Sequence, residues 1–459
     1  MSPQKSNKLY NAGLKVAKLL QKENFEAFFV GGYVRNQLLH LDSDNIDIAT
    51  SAKPDEVEKI LTRQEIKIKP VGKKFGSLLA IVEKFPIEIT TYRAEGRYSD
   101  NRHPDQVEFI DDFKDDAKRR DFTINALYLN PAKKEVFDPT GLGMKDLHAQ
   151  LLRFVGDPRK RIDEDALRML RGVRLSTQLG FKLEKNTFAA IKTRAKYIQG
   201  ISGERVKAEL DKILSHENRI EGIKLLDKTG LLKFIIPEME KLKKVFHLSK
   251  YGHLEGDVFV HTLKAVELLR SNDLDLIYAT LFHDIGKVIK PTKVFKKDEW
   301  RFSFIGHVKL SSEIFLTFAS KFRFPYRNAS IINWLISHHD DRNNFVTMKD
   351  ENRIKYLLHD NSDLLLELWR VDSMANLRLV NGEKIARISE AYTLGKTILD
   401  KISKVKNFKL ASGDLIMKYG NLKPGIELGK KIEDVKVQIV LGHIQNLKDL
   451  KNYLQKKSH

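Results

Sequence analysis

Residues 30–50, VGGYVRNQLLHLDSDNIDIAT, constrain the fold of this chain more than any other segment. Their pattern predicts a strand that ends at Val30, a tight turn at Gly31 and Gly32, a short helix and a second strand. Two glycines between a strand and a helix let the backbone approach a ligand closely, and the free N–H groups at the helix start favour a phosphate. Arg35, one turn into the helix, adds positive charge. The segment therefore predicts a phosphate-binding turn.

The second strand carries the candidate catalytic groups. Ile46 and Ile48 face one side, so Asn45 and Asp47 share the other side. A later apolar strand, FPIEITT, contains Glu88 between two isoleucines, and Glu88 points toward Asp47 if the isoleucines of both strands pack on the same face. Acidic groups beside a glycine turn suit a nucleotide with Mg²⁺. We predict Asn45, Asp47 and Glu88 as catalytic residues, with Mg²⁺ at Asn45 and Asp47; a solvent-facing strand glutamate is the alternative for Glu88.

This segment resembles the signature of the class II tRNA nucleotidyltransferase (CCA-adding enzyme) and bacterial poly(A) polymerase family, in which GGxVRD precedes a D-x-D-x-A-T strand. The chain departs from that signature at Asn36 and Asn45, where the family has Asp. Asn45 falls on the first of the two metal-binding carboxylates. Because an asparagine coordinates only through its carbonyl oxygen, the resemblance implies reduced turnover, or an inactive form preserved for binding.

Residues 119–126, RRDFTINA, match a second motif of that family. The resemblance implies that Arg119 and Arg120 bind the nucleotide and that the asparagine of the motif helps to hold the fold. An exposed, solvated arginine pair is the alternative.

A polar stretch from Ala94 to Asp111 predicts a long loop, and long loops in compact domains are often functional. It resembles the family's flexible loop for the switch from C to A addition, through Asp100, Arg102 and Pro104. That resemblance favours full CCA addition over a CC-only enzyme.

The segment DEDALRMLRGVRLSTQLGF predicts a helix that starts at Asp163 or Glu164. Four charged side chains are spaced by three residues and are expected on one side of it: Asp165, Arg168, Arg171 and Arg174. An intrahelical ladder of ion pairs is one interpretation of that row. The other rests on the family's EDxxR motif, which Glu164, Asp165 and Arg168 match.

An aspartate that accepts from an amino group, beside an arginine that donates to a ring nitrogen, fits cytosine and adenine alike. Guanine and uracil present the opposite order and would leave both protein groups unpaired, at about 1–3 kcal/mol for each buried group. Asp165 and Arg168 are therefore predicted to select CTP and ATP, and Arg171 and Arg174 to hold the triphosphate.

Beyond residue 248 the chain contains histidines and aspartates in the order H, H, HD, H, HH, D. Imidazoles and carboxylates together suit a first-row divalent cation whose bound water becomes a nucleophile. The members of this set are His253, His261, His283, Asp284, His307, His338, His339 and Asp372.

The order resembles the HD phosphohydrolase superfamily. The resemblance implies that one metal, of the Ni²⁺, Co²⁺ or Mn²⁺ class, is held by His261, His283, Asp284 and Asp372. His307 and His338 match the extra histidines of two-metal members, and His338 is preferred over its neighbour His339. The substrate stays open between a 2′,3′-cyclic phosphate, a phosphomonoester and none.

Composition limits the partners. The chain has a formal net charge of +20, which suits a polyanion, and it has no cysteine for disulfides or thiolate metal sites. No apolar run has membrane-spanning length, and the first residues lack a secretory h-region. We expect a cytoplasmic protein that binds tRNA, CTP and ATP and no membrane; the oligomeric state is left open.

The expected fold class is α+β. An N-terminal mixed α/β nucleotidyltransferase domain, similar to that of polymerase beta, precedes an all-α neck and body, an all-α HD domain and a helical tail. The predicted bounds are 1–145, 146–245, 246–380 and 381–459.

The preferred function is template-independent addition of CCA to tRNA 3′ ends, with release of pyrophosphate, together with a metal-dependent phosphohydrolase in the HD domain. A poly(A) polymerase is the alternative within the same class. An HD phosphodiesterase whose transferase domain is impaired by Asn45 is the alternative from another class.

Overall fold

The computed structural model describes residues 3–95, 107–246, 256–296, 299–380, 383–386, 388–406 and 408–456. The chain divides into two compact units, Met1–Ile235 and Ile236–His459. Four residues named above lie outside the described ranges: Asp100, Arg102, Pro104 and His253.

The first unit contains the larger sheet. The strands of this unit are β1 (Ala27–Val30), β2 (Ile46–Thr50), β3 (Lys67–Lys69), β4 (Ser77–Val82), β5 (Phe85–Thr91), β6 (Arg93–Glu95), β7 (Val107–Phe109), β8 (Tyr128–Asn130), β9 (Glu135–Phe137), β10 (Leu151–Leu152) and β11 (Lys182–Leu183). Seven of them form one mixed sheet in the order β3-β4-β5-β2-β1-β8-β9.

The helices of this unit are α1 (Pro3–Lys22), α2 (Gly32–Leu38), α3 (Pro54–Thr62), α4 (Phe113–Lys118), α5 (Gly143–His148), α6 (Pro158–Glu164), α7 (Leu167–Leu179), α8 (Lys185–Arg194), α9 (Gly203–Leu214), α10 (Arg219–Lys228) and α11 (Leu232–Ile235). Short 3₁₀ turns lie at Lys73–Phe75, Thr123–Asn125 and Ala195–Gly200.

The sheet has an apolar face that is covered by helices. Leu9 and Val16 of α1 belong to one buried cluster with Ile46 and Ile48 of β2 and Ile87 of β5. Because side chains alternate along a strand, this burial turns the intervening residues of β2 and β5 toward the opposite face.

The ends of the predicted 94–111 loop are ordered as strands. β6 pairs with β7 in an antiparallel ladder that joins Arg93 to Phe109. The prediction of a continuous loop is therefore wrong at its two ends, because the segment on each side is held by a strand partner.

The second unit is mostly helical. Its helices are α12 (Pro237–Leu242), α13 (Val258–Glu267), α14 (Leu274–Phe282), α15 (His307–Lys321), α16 (Tyr326–His338), α17 (Arg342–Thr347), α18 (Asp350–Leu357), α19 (Ser362–Ala375), α20 (Glu390–Ser403), α21 (Gly413–Gly420), α22 (Ile426–Val440) and α23 (Leu447–Lys456). Short 3₁₀ turns lie at Ile285–Val288 and Phe408–Ala411.

Two short hairpins interrupt these helices. β12 (Thr292–Lys296) pairs with β13 (Glu299–Ser303), and β14 (Leu377–Val380) pairs with β15 (Glu383–Ala386). Neither hairpin was predicted from the sequence. The α+β class, with a sheet-containing first domain followed by mostly helical segments, is confirmed.

No helix within the described ranges combines the length and the apolar character that a membrane span would need.

Candidate transferase and metal sites

The glycine turn after β1 has the conformation that only glycine adopts easily. Gly31 has a φ of +72°, and a Cβ at this position would lie 3.4 Å from Oδ2 of Asp47. Gly32 begins α2. The turn therefore brings the backbone next to a carboxylate, at the start of a helix whose first N–H groups lack helical partners.

A cavity of about 520 Å³ opens at this turn. Nine of the predicted site residues line it: Gly31, Gly32, Asp47, Glu88, Arg119, Arg120, Asp165, Arg168 and Arg171.

The two carboxylates lie side by side. β2 and β5 run parallel, and their register pairs Asp47 directly with Glu88. Burial raises the pKa of Asp47 to about 6, and the nearby Glu88 adds to this, against the opposing effect of Arg120. A cation between the two carboxylates would remove that repulsion, so this pair fits a divalent metal.

Asn45 lies next to this pair. Its side-chain amide donates a hydrogen bond to Oδ1 of Asp47, with 3.0 Å between the two atoms. A carboxylate at this position would offer an acceptor, whereas the amide offers a donor. The site thus fits a divalent metal through Asp47 and Glu88, and less well through Asn45.

The arginine pair after α4 is anchored on a buried aspartate. Asp116 is fully buried and accepts from Arg119 (2.8 Å), Arg120 (3.0 Å) and the hydroxyl of Tyr128 (2.5 Å). Burial raises the pKa of Asp116, but Arg120, Arg119 and the Tyr128 hydroxyl outweigh it and lower that pKa to about 2. Asp116 therefore orients both guanidinium groups at the cavity wall.

Asp116 was not predicted as a site residue from the sequence, although a local signal was present. Asp116 precedes Arg119 and Arg120 by three and four residues, which is the spacing of neighbours on a helix.

A second network ties the glycine turn to α7. Asn125 accepts from Nη1 of Arg35 (2.6 Å) and donates to Oδ1 of Asp121 (3.1 Å), and Oδ2 of Asp121 accepts from Arg171. Burial raises the pKa of Asp121, but Arg171 and hydrogen bonds from Asn125 and the Phe122 backbone lower it well below its usual range. Asn125 thus binds Arg35 directly and is connected to Arg171 through the carboxylate of Asp121.

Arg35 itself is buried, with 8 % of its surface exposed. Its guanidinium also donates to the side-chain oxygen of Asn36 at 3.0 and 2.7 Å, and burial lowers its pKa to about 10. Arg35 is not among the residues that line the cavity, and its guanidinium is bonded to the amide oxygens of Asn36 and Asn125, so its contact with the ligand stays a prediction.

The helix predicted from Asp163 or Glu164 is broken at Asp165. α6 ends at Glu164, Asp165 has an extended backbone, and α7 begins at Leu167. Oδ1 of Asp165 accepts from the backbone N–H of Leu167, so the aspartate caps α7 and does not lie on its side. The row of four residues on one continuous helix is therefore wrong at its first member.

Even so, Asp165 and Arg168 line the same cavity. Arg168 pairs with Glu164, the last residue of α6, which is not a member of the predicted ladder. Oδ2 of Asp165 accepts from Arg205 of α9, with 2.7 Å between the atoms. Arg205 lies 40 residues away along the chain, and no local spacing could have indicated it.

Arg174, the last member of the row, points elsewhere. Its Nε donates to Glu209 of α9 at 2.6 Å, and it also donates to Gln178. Arg174 thus joins α7 to α9 and is not among the residues that line the cavity, and its contact with a triphosphate stays a prediction.

In the second unit, six imidazole and carboxylate groups form two adjoining clusters. The first consists of His261, His283 and Asp372, whose ligand atoms lie within 4.8 Å of one another. Nε2 of His261 lies 3.1 Å from Oδ1 of Asp372.

The second cluster consists of Asp284, His307 and His339. Oδ1 of Asp284 lies 3.6 Å from Nε2 of His307 and 3.5 Å from Nε2 of His339. The other oxygen, Oδ2, lies 3.3 Å from Nε2 of His283. Asp284 therefore stands between the two clusters.

The ring orientations favour metal binding. Nδ1 is hydrogen-bonded to a backbone carbonyl oxygen in three of these rings: His283 to Thr280 (2.7 Å), His307 to Phe304 (2.9 Å) and His339 to Ile336 (2.7 Å). This bonding leaves the Nε2 lone pair as the ligand atom. Nε2 of His283 is buried and has no hydrogen-bond partner, as expected of an atom that binds a metal.

The carboxylates have the ionisation that a cation requires. Burial raises the pKa of Asp284, but Lys287 and His283 outweigh it and hold that pKa well below its usual range. Burial also raises the pKa of Asp372, but the Arg342 guanidinium outweighs it, and the pKa lies well below its usual range. The donor set therefore fits a first-row divalent metal.

The choice of His338 is wrong, and its neighbour His339 takes the place. His338 stacks on Trp334, with ring centroids 4.6 Å apart, whereas His339 is buried in the second cluster. Neighbouring helical residues point about 100° apart, so only one of the two can face the cluster. Ile332, Leu335 and Ile336 are buried, and His339 continues their helical spacing, a signal that could have found it.

Three segments of the chain match models of known protein families. Residues 27–153 match the model of the poly A polymerase head domain, residues 180–243 match the probable RNA and SrmB-binding site of polymerase A, and residues 258–370 match the HD domain. The first unit thus carries a nucleotidyltransferase head of the polymerase A type, and the second carries an HD domain.

Similar sequences narrow the family further, because the relatives are CCA-adding enzymes. The CCA-adding enzyme of Enterococcus faecalis is 43% identical over 297 residues, which are 62% of this chain and 71% of that enzyme. Those of Anoxybacillus flavithermus and Ligilactobacillus salivarius are each 39% identical, over 55% and 54% of this chain. The matched segments span 62% and 57% of the length of these two relatives. The chain belongs to the CCA-adding enzyme family.

Solved structures share its fold. The crystal structure of the Bacillus stearothermophilus CCA-adding enzyme in complex with CTP has a TM-score of 0.69 at 23% identity and covers 100% of this chain and 98% of that one. The Thermotoga maritima CCA-adding enzyme complexed with tRNA has a TM-score of 0.62 at 18% identity, over 99% and 98% of the two chains.

Proposed function

We propose that this chain adds CCA to tRNA 3′ ends without a template, using CTP and ATP and releasing pyrophosphate. The observation that carries the proposal is one cavity that is lined by the adjacent carboxylates Asp47 and Glu88, by the Gly31 turn, and by Asp165 and Arg168. Family membership and the basic charge of the chain agree with it. A cytoplasmic location follows from the tRNA substrate.

Several of the lining residues have a physical task in this reaction. The N–H groups after Gly31 favour the triphosphate, and Arg119, Arg120 and Arg171 place positive charge on the same cavity. Asp47 and Glu88, with the carbonyl oxygen of Asn45, would hold Mg²⁺. When bound, Mg²⁺ neutralises phosphate charge and activates the terminal ribose hydroxyl.

Base selection falls to Asp165 and Arg168. A carboxylate has about four lone-pair sites, so Asp165 can accept from the amino group of cytosine or adenine and keep its bonds to Leu167 and Arg205. Arg168 can donate to the ring nitrogen while Glu164 retains another of its N–H groups. The capping bond fixes the position of the Asp165 carboxylate before any nucleotide arrives.

A tRNA that lacks CCA tests this function. The protein and its Asn45→Asp form are incubated with CTP, ATP and Mg²⁺, and product length is measured. Three added nucleotides support CCA addition, and a long A ladder supports poly(A) polymerase. If neither form incorporates nucleotides, the better interpretation is an HD phosphodiesterase whose transferase domain is impaired.

For the second unit we propose a metal-dependent phosphohydrolase. Its support is the buried, unpartnered Nε2 of His283 among five other ligand groups. Hydrolysis of bis(p-nitrophenyl) phosphate with added Ni²⁺, Co²⁺ or Mn²⁺ tests it, with His283→Ala as the inactive control. Absence of hydrolysis with all three metals would contradict it.

A further inference from the structure

We propose that Arg342 is the residue that recognises the phosphate group of the substrate at the HD metal centre. The proposal rests on the phosphohydrolase function inferred above. It names the anion-binding group of that site and predicts a phosphate ester as its ligand class.

The first observation is the contact with a candidate metal ligand. Nη1 of Arg342, the first residue of α17, lies 2.8 Å from Oδ2 of Asp372. The other oxygen of Asp372, Oδ1, faces His261 at 3.1 Å and His283 at 3.9 Å. Asp372 therefore divides its oxygens between the histidine cluster and the guanidinium, and Arg342 stands directly beside the place where the metal would bind.

The second observation is exposure. The side chains of His261, His283 and Asp284 are at most 3% exposed, and that of Asp372 is 8% exposed. The Arg342 side chain is 25% exposed, against 12% for Lys287, the other cation that contacts a cluster carboxylate. A ligand that comes from solvent therefore meets Arg342 before it meets the deeper ligand groups.

The third observation is donor capacity. A guanidinium carries five N–H donors in a planar fork that matches a phosphate. The pairing with Asp372 engages Nη1, and Asp340 lies 3.9 Å from Nη2, which is beyond a hydrogen bond. Donors of Arg342 thus stay available to a non-bridging phosphate oxygen while Asp372 remains a metal ligand.

A purely structural ion pair would need none of this exposed donor capacity. Arg370 in α19 shows the contrast, because its side chain is 3% exposed and its donors are engaged by Glu367, the backbone oxygen of Leu268 and the sulfur of Met374. Among the residues that the structure describes, Arg342 has one charged partner at hydrogen-bond distance, and its side chain is 25% exposed.

The test uses the full chain loaded with Co²⁺ and inorganic phosphate as the probe. Bound Co²⁺ is followed by its visible absorption and by metal analysis, and phosphate binding is followed by the change in that absorption. The variants are Arg342→Gln, which removes the charge, and Arg342→Lys, which keeps the charge and loses the fork. Arg327→Gln is the matched control, because Arg327 is an exposed arginine on α16 of the same unit.

We expect Arg342→Gln to keep its Co²⁺ and to weaken phosphate binding by about tenfold, Arg342→Lys to weaken it less, and Arg327→Gln to match the parent protein. If Arg342→Gln abolishes Co²⁺ binding, the phosphate affinity of the Arg342→Lys variant tests the proposal instead. Unchanged phosphate affinity in a Co²⁺-loaded Arg342 variant, loss of Co²⁺ in both variants, or absence of phosphate binding by the parent protein would overturn the proposal. Arg342-dependent phosphate binding without hydrolysis would uphold it and refute the phosphohydrolase function.

Discussion

Asn45 donates its side-chain N–H to Oδ1 of Asp47 at 3.0 Å, so an amide occupies the position next to the carboxylate pair of Asp47 and Glu88. The bond uses one oxygen of Asp47 and adds no negative charge to the site. A metal held here binds a site with one carboxylate fewer than the family signature provides.

Replacing Asn45 by Asp is expected to strengthen metal binding. The change adds one charge and one acceptor, and the affinity of oxygen-ligand sites rises with ligand charge. We predict that the Mn²⁺ affinity of the Asn45→Asp protein, measured by calorimetry, increases by about tenfold. Asp44→Asn is the control, because Asp44 is exposed and directly precedes the site. Equal Mn²⁺ affinities before and after the Asn45→Asp change would contradict the role given to this position.

Asp116 makes stability depend on pH. Its folded pKa of about 2 lies below the usual 3.8, so its stabilisation is fully present above pH 3.8 and is lost as the pH falls toward 2. The difference corresponds to about 2 kcal/mol. We predict that Asp116→Asn lowers the free energy of unfolding by about that amount at pH 7, measured with urea, and by much less near pH 2. A penalty that is equal at both pH values would refute the ionic origin of this stabilisation.

Asn125 is expected to be essential for the network under the glycine turn. Asn125→Ala leaves the guanidinium of Arg35 and the carboxylate of Asp121 without one partner each. Arg35 is buried, and the Asp121 side chain is only 11% exposed. We predict a loss of about 2–3 kcal/mol in the free energy of unfolding. Asn7→Ala, on the exposed side of α1, should change it by less than about 0.5 kcal/mol. Similar penalties for the two variants would argue against the network.

The adjacent histidines at the end of α16 provide a matched pair. His339 belongs to the second cluster of candidate metal ligands, whereas His338 stacks on Trp334 outside it. We predict that His339→Ala lowers the amount of Co²⁺ bound per chain, measured by elemental analysis, and that His338→Ala leaves it unchanged. The reverse result would restore the sequence-based choice of His338.

The sequence predicted the carboxylate pair because strand alternation is a local rule. Ile46 and Ile48 had to face the core, which turned Asp47 to the other face, and the same argument held for Glu88. The parallel pairing that brings the two together follows from the sheet order, which local spacing does not contain.

The wrong predictions arose where one local sequence pattern is compatible with two structures. Helical spacing from Asp163 onward gave no sign that Asp165 caps α7 and breaks the helix. Arg205 reaches Asp165 from a different helix, and only the packed fold brings them together. His339 was within reach of the sequence, because it continues the spacing of buried isoleucines and a leucine in α16.

Nucleotide binding tests the central claim most directly, because it requires no turnover and so does not depend on Asn45. The account predicts that the protein binds CTP and ATP more tightly than UTP and GTP in calorimetry. Asp165→Ala should reduce that preference by about tenfold, since it removes the acceptor for the base amino group. Asp163→Ala, two residues earlier and half-exposed, should keep the preference. An undiminished preference after Asp165→Ala, or equal binding of all four nucleotides by the parent protein, would contradict the account.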